Sequence, residues 1–147
     1  MKDVAQFFKV LADEARLKIL WLLFNHQELC VCDLMEALGI TQSKTSRHLA
    51  TLRHAGLVVD RKDGLWSYYA LRSVDNELAR QYLDLLKATL PKHPDTAPLL
   101  TKLDQWLDAK TQGAVCLPEC VPAPKRARKD ITAPRPSRTQ QMMKGKR

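Results

Sequence analysis

The stretch Leu34-Met35-Glu36-Ala37-Leu38-Gly39-Ile40-Thr41-Gln42-Ser43-Lys44-Thr45-Ser46-Arg47-His48-Leu49 decides the fold. A helix around Cys32 to Leu38, with Leu34 and Leu38 one turn apart, meets its natural stop at Gly39. Thr41 offers a hydroxyl N-cap to a second helix, from Gln42 to His54, which Gly56 closes. Two helices joined by so tight a turn have the form of a helix-turn-helix. Apolar residues in the second helix are sparse, chiefly Leu49 and Leu52. That leaves Gln42, Ser43, Lys44, Ser46, Arg47 and His48 facing outwards at its N-terminal end. These hydrogen-bonding and cationic side chains stand where a recognition helix touches base edges and phosphates.

Working outwards, Val4, Phe7, Phe8 and Leu11 fall on one face of a short first helix. Asp13 can cap a helix through Ala15 to about Asn25, apolar on nearly every side after Lys18, which places it in the middle of a core. Downstream of Gly56 the period shortens. Leu57-Val58-Val59 and Leu65-Trp66-Ser67-Tyr68-Tyr69-Ala70-Leu71 flank an Asp63-Gly64 turn and predict a β-hairpin. A hairpin directly after a helix-turn-helix is a wing, with Arg61 and Lys62 expected at its tip and within reach of phosphates. The helical period then resumes through Leu78, Tyr82, Leu85 and Leu86. Pro91 interrupts it, and Leu99, Leu100, Leu103, Trp106 and Leu107 form another apolar face up to about Lys110. The stripes on the first and last helices lack an obvious partner in so small a domain, and pairing them across a two-fold axis predicts a homodimer.

The chain has 147 residues, with 24 Lys+Arg against 16 Asp+Glu, a formal charge of +8. Residues 1–110 hold 15 basic and 14 acidic side chains, whereas residues 111–147 hold 9 and 2, so the basicity is mostly a property of the tail. That tail also carries five of the eight prolines and few large apolar residues, and it cannot bury enough surface to offset its ordering entropy. The expected architecture is therefore mainly α with a small β-hairpin. Residues 1–90 form a winged helix-turn-helix DNA-binding and dimerisation domain, 91–110 a C-terminal helical extension, and 111–147 a disordered basic Pro-rich tail with two cysteines. No apolar run approaches the ~20 residues of a membrane span, and there is no secretory leader pattern, so no membrane partner and a cytoplasmic location are expected.

Cys30-Val31-Cys32 lies at the start of the first helix of the reading unit, beside Glu28 and Asp33. On a regular helix, residues i and i+2 point about 200° apart, whereas in an extended segment they point the same way. A soft ion bridging both sulfurs would favour unwinding of the helix start, and the strain would pass into the orientation of Gln42–His54. Thiolates select soft metals and metalloids, and a helix N-terminus lowers a thiol's pKa. Zinc would want four ligands, but His26, His48, His54 and His93 are scattered, so a two- or three-coordinate thiophile fits better.

Glu28-Leu29-Cys30-Val31-Cys32-Asp33-Leu34, with Ser46-Arg47-His48-Leu49 and Asp60-Arg61-Lys62-Asp63-Gly64-Leu65-Trp66, resembles the ArsR/SmtB family of winged-helix repressors, and specifically its arsenic-responsive members, over about residues 4–90. The resemblance implies a dimeric repressor with no required cofactor. It would sit on double-stranded operator DNA and leave when trivalent arsenic or antimony binds its cysteine thiolates. Relatives of this type commonly place a third cysteine where this chain has Met35, and a thioether is a poor substitute for a thiolate. Three arrangements remain open: Cys30 and Cys32 alone, recruitment of Cys116 or Cys120 from the tail, or a separate site at Cys116 and Cys120. The helix after the wing, where zinc-responsive members carry Asp and His ligands, holds Asp75, Glu77 and Asp84 but no histidine, so no metal site is expected there.

Three other readings compete. A thiol-disulfide enzyme would use Cys30 and Cys32, but CxC replaces CxxC and no βαβ pattern is present. A thiol-redox-sensing repressor would oxidise the same pair on the same fold. A constitutive architectural DNA binder would rely on the basic tail. No nucleophile, base and orienting residue assemble in the sequence, so no enzymatic activity is expected.

Overall fold

The structure, a computed structural model, describes residues 1–115. Helices α1 (Lys2–Leu11), α2 (Glu14–Asn25), α3 (Val31–Leu38) and α4 (Gln42–His54) are followed by the wing strands β2 (Val58–Asp63) and β3 (Trp66–Leu71), then by α5 (Glu77–Thr89) and α6 (Thr96–Thr111). A short strand β1 (Leu29–Cys30) precedes α3, and a 3₁₀ turn at Leu90–Lys92 carries Pro91 between α5 and α6.

Local chemistry accounts for most of these boundaries. The Asp13 carboxylate accepts the Arg16 N–H at 3.0 Å and starts α2, and Asn76 does the same for α5 through the Ala79 N–H at 3.3 Å. Gly39 ends α3 at φ 66, a left-handed conformation that lets the chain turn at once towards Thr41, whose hydroxyl accepts the Lys44 N–H. Ile19, Leu20 and Leu22 of α2 are completely buried, as a helix apolar on nearly every side after Lys18 requires, and Leu34, Leu49, Leu52 and Leu57 belong to the same core cluster.

The wing differs from a lone hairpin. β1 pairs antiparallel with β3, Leu29 opposite Tyr69 and Cys30 opposite Tyr68, giving a three-stranded sheet in the order β1-β3-β2. Two residues are too few to display an alternating pattern, so the strand forms only because β3 offers it a free edge. Arg61 and Lys62 do not form the tip either. They lie within β2 opposite Tyr68 and Ser67, and the turn is made by Gly64 and Leu65 after the Asp63–Trp66 pair.

The apolar stripe of α6 is not left over for a second copy of the chain. Leu99 and Leu103 are buried in the protomer's own core, with Leu100, Trp106 and Leu107 against it, and α6 makes the most extensive helix–helix contact with α3. The exposed large apolar residues of the helical layer are Val4 and Phe8 on α1 and Leu85 on α5. Phe8 meets Tyr82 of α5 edge-on at a centroid distance of 4.9 Å, so α1 and α5 share a face. If α6 belongs to the core, Leu103→Ala will lower the unfolding free energy by about 2–5 kcal/mol in urea titrations. A loss below about 1 kcal/mol would show α6 to be peripheral.

Candidate functional site

The site is built at the junction of β1 and α3. Cys30 ends the strand and is also the N-cap of α3, with extended backbone at φ −83 and ψ 168, while Cys32 is the second residue inside the helix. Because one cysteine precedes the helix and the other belongs to it, the two join one cluster without any unwinding. Met35, at the position where a third thiol would be expected, completes that cluster, walled by Val31, Trp66, Tyr68 and Trp106. Cys30 is a free thiol with 1% exposure; Cys32 is disulfide-bonded, and not to Cys30.

Asp33 organises this corner. Its Oδ2 accepts the backbone N–H of Cys30 at 2.9 Å, closing the N-terminus of α3. Its Oδ1 accepts both the indole N–H of Trp106 and the ammonium of Lys110, each at 2.9 Å. The same Lys110 Nζ stands 3.3 Å from Cys30 Sγ. Trp106 and Lys110 are one turn apart on α6, so a single helix face delivers both groups to one buried carboxylate.

The electrostatics reverse one expectation. Burial, followed by the neighbouring Asp33 charge, pushes the Cys30 thiol above its ordinary pKa, and the helix start and Lys110 only partly oppose this. For Asp33, burial alone would raise the pKa, but the bonds from Lys110, the Cys30 N–H and Trp106 outweigh it and hold the carboxyl below its usual range. Lys110 loses something to burial and gains more from Asp33, so its ammonium is held in the charged form.

Of the sequence-predicted ligands, the structure brings together Cys30 and Cys32; Cys116 and Cys120 lie outside the described residues, as does most of the basic tail. Among the described residues no three His, Cys, Asp or Glu side chains converge as a metal site. Asp75, Glu77 and Asp84 are exposed, and Glu77 is taken up by Arg80 and Gln81. Nothing in the sequence marks Lys110 or Trp106 as site residues. Trp106 is visible there only as one member of an apolar stripe, and nothing local marks its turn of helix as lying over Cys30.

On α4, Ser43, Lys44 and Arg47 are exposed and Gln42 and Ser46 half-buried. Thr45 between them is buried, its hydroxyl donating to the Thr41 carbonyl at 2.9 Å, which fixes which face looks outward. His48 turns back towards the protein, its Nδ1 3.6 Å from the Asp13 carboxylate. On the wing, Lys62 is exposed, whereas Arg61 lies over the Tyr68 ring at 4.8 Å and forks onto Glu28, with Nε 3.1 Å from Oε2. Arg61 thus joins the wing to the residue two before Cys30.

A depressed carboxyl pKa adds stability above the unfolded value of about 3.9 that is lost as pH falls through the folded value. Asp33→Asn will therefore be less stable than the parent at pH 7, by about 1–3 kcal/mol for a lost buried charge-assisted partner, and the difference will shrink towards pH 3. Urea unfolding at both pH values checks this.

The profile of the family described as "Bacterial regulatory protein, arsR family" matches residues 13–59, from the cap of α2 to the start of the wing. The arsenical resistance operon repressor of Escherichia coli (strain K12) is 59% identical over 66 residues, 45% of this chain and 56% of the repressor, so the chain spans little more than half that protein's length. The arsenic resistance transcriptional regulator ArsR2 of Pseudomonas putida (strain KT2440) is 46% identical over 83 residues, 56% of this chain and 70% of the regulator. Among solved structures, the homodimeric winged helix-turn-helix DNA-binding domain of a possible ArsR-family regulator from Mycobacterium bovis superimposes with a TM-score of 0.51 at 30% identity, covering 63% of this chain and 82% of that one. With its winged helix-turn-helix, its recognition helix and its profile match in agreement, this chain belongs to the arsR family of bacterial regulatory proteins.

Proposed function

We propose that the protein is a cytoplasmic transcriptional repressor, and not an enzyme, that binds double-stranded operator DNA as a homodimer and leaves it when trivalent arsenic or antimony bonds to its cysteine thiolates. The observation that carries this reading is the position of Cys30, which is both the last residue of β1 and the N-cap of α3, the first helix of the helix-turn-helix. A bond made at its sulfur pulls on the helix that positions α4. The names of the relatives, arsenical resistance repressors and regulators, support the choice of inducer, and soft thiolates favour a thiophilic metalloid over a hard cation. Each thiol that captures arsenous acid exchanges its proton for an arsenic–sulfur bond, the displaced hydroxide leaving as water.

In this reading residues 1–90 read DNA and dimerise, the latter through the α1–α5 face that exposes Val4, Phe8 and Leu85. Residues 91–110 cover the thiol site, and 111–147 add sequence-independent phosphate contacts. Ser43, Lys44 and Arg47 meet the groove, with Gln42 and Ser46 at its edge, His48 behind them and Lys62 and Arg61 on the flanking backbone. Cys30 and Cys32 supply two ligands, and Cys116 or Cys120 supplies the thiolate that Met35 does not. No described helix is long and apolar enough to cross a membrane.

A thiol-redox repressor on the same fold is the second reading, favoured by the disulfide at Cys32; because Cys30 is a free thiol, the oxidised pair in it is not Cys30–Cys32. The two differ in their inducer. Reduced protein released from operator DNA by arsenite supports the first, and release by peroxide with indifference to arsenite supports the second.

Exchanging Cys30 and Cys32 together for Ser is expected to leave operator binding intact and abolish arsenite release in a fluorescence-anisotropy titration; a double mutant that still responds defeats the sensor assignment. Arg47→Ala is expected to weaken operator binding by about 1–3 kcal/mol and to relax preference at one base position. A loss uniform over all DNA sequences would move Arg47 to a phosphate.

A further inference from the structure

Cys30 is buried to 1% exposure, so no ligand reaches its sulfur until one of the groups above it moves. Among the described residues, the groups that elements outside β1 and α3 lay over it come from two places. Trp66 and Tyr68 belong to β3, the central strand, hydrogen-bonded to β1 on one side and β2 on the other. Trp106 and Lys110 belong to the last turns of α6, and Lys110 is the residue before its end. A central strand opens only with the sheet, whereas a helix end opens locally at little cost. The yielding side is α6.

Lys110 also stands where the incoming atom must go. A thiolate bond of roughly 2.3 Å, as in zinc thiolates, is shorter than the 3.3 Å between Cys30 Sγ and Lys110 Nζ, so ligand and ammonium cannot hold the same side of the sulfur. The Lys110 ammonium that faces Cys30 is also bonded to Asp33, and the Trp106 bond to the same oxygen sits on the same helix face, so the three contacts form one connected unit. α6 runs antiparallel to α3: past the C-terminus of α3, Lys102 Nζ from the middle of α6 lies 3.6 Å from where a side chain on Gly39 would begin, at the turn into α4. One helix thus touches both the thiol site and the turn that aims α4.

We propose that the C-terminal half of α6 is a lid on the thiol site: Lys110 is the group an inducer displaces from Cys30, Trp106 and Asp33 are positioning residues that hold the lid shut, and undocking of α6 from α3 carries occupancy of Cys30 to the helix-turn-helix. The proposal rests on the metalloid-sensing reading and adds to it which element moves. It gives residues 91–110 a role in setting the inducer threshold.

The test uses full-length protein, reduced and then freed of small thiols, without DNA, with sodium arsenite as the probe. Arsenic–sulfur absorption in the ultraviolet reports binding. The indole N–H resonances of the three tryptophans report the lid, Trp106 being assigned by its absence in Trp106→Phe. One equivalent of arsenite is expected to raise the absorption, to move the Trp106 indole signal out of its hydrogen-bonded position, and to speed amide exchange over residues 104–111 at least roughly tenfold. Trp21, whose indole is bonded to the Thr96 carbonyl at the start of α6, should hold its position. Cys30→Ser should remove all three changes. Trp106→Phe, which keeps the packing and deletes one bond to a charged group, is expected to lower the arsenite concentration for half-release from DNA by roughly tenfold. Absorption that appears while Trp106 and the exchange of 104–111 stay unchanged would overturn the lid and leave the sensor reading standing. A half-release concentration unaltered in Trp106→Phe would likewise count against the lid, and absence of the absorption would remove the sensor reading and the lid together.

Discussion

A carboxylate buried to 3% exposure at the start of a helix needs every bond it can find, and Asp33 obtains three from two elements. The backbone of Cys30 satisfies it from the end of β1, and Trp106 and Lys110 from α6. Charge-assisted bonds in a water-poor corner are stronger than their exposed equivalents, and leaving such a group unpaired is expensive. The junction of strand and helix, the placement of the thiol and the docking of the last helix therefore depend on one another. Burial, with the Asp33 carboxylate second, is why Cys30 sits so close to an ammonium without being readily ionised: together they raise its pKa by more than Lys110 lowers it.

The reading face obeys a different physics. α2 buries Ile19 to Leu23 and forms the centre of the core, while α4 is seated by the buried Thr45, Leu49 and Leu52. Its remaining surface is free to be polar, and Ser43, Lys44 and Arg47 are exposed on it. The wing is less independent than a hairpin would be. β1 joins it to the thiol site through the backbone, and the Glu28–Arg61 pair joins it again through side chains. That pair is exposed and worth little as stability, but it places a wing cation and the thiol segment in mechanical register.

Helix identities and their ends are legible in the sequence where they are local: Asp13 and Thr41 cap within three residues of themselves, and Gly39 takes the left-handed conformation that its missing side chain permits. The helix-turn-helix, the outward set on α4 and the cysteine pair follow from short-range spacing for the same reason. β1 was not legible, since two residues show no period. Nor was the orientation of His48 towards Asp13, or of Arg61 towards Glu28, each of which depends on a partner more than 30 residues away.

Short-range spacing fixes where the helices run, which of them carries an outward polar face, and that two cysteines precede it. Tertiary structure alone decided what lies over those thiols. Lys110 and Cys30 are 80 positions apart, and Trp106 and Asp33 are 73 apart. No propensity, cap or period reaches that far, because such contacts are fixed only when α6 buries Leu99 and Leu103 against the core and its next two turns are carried onto Asp33.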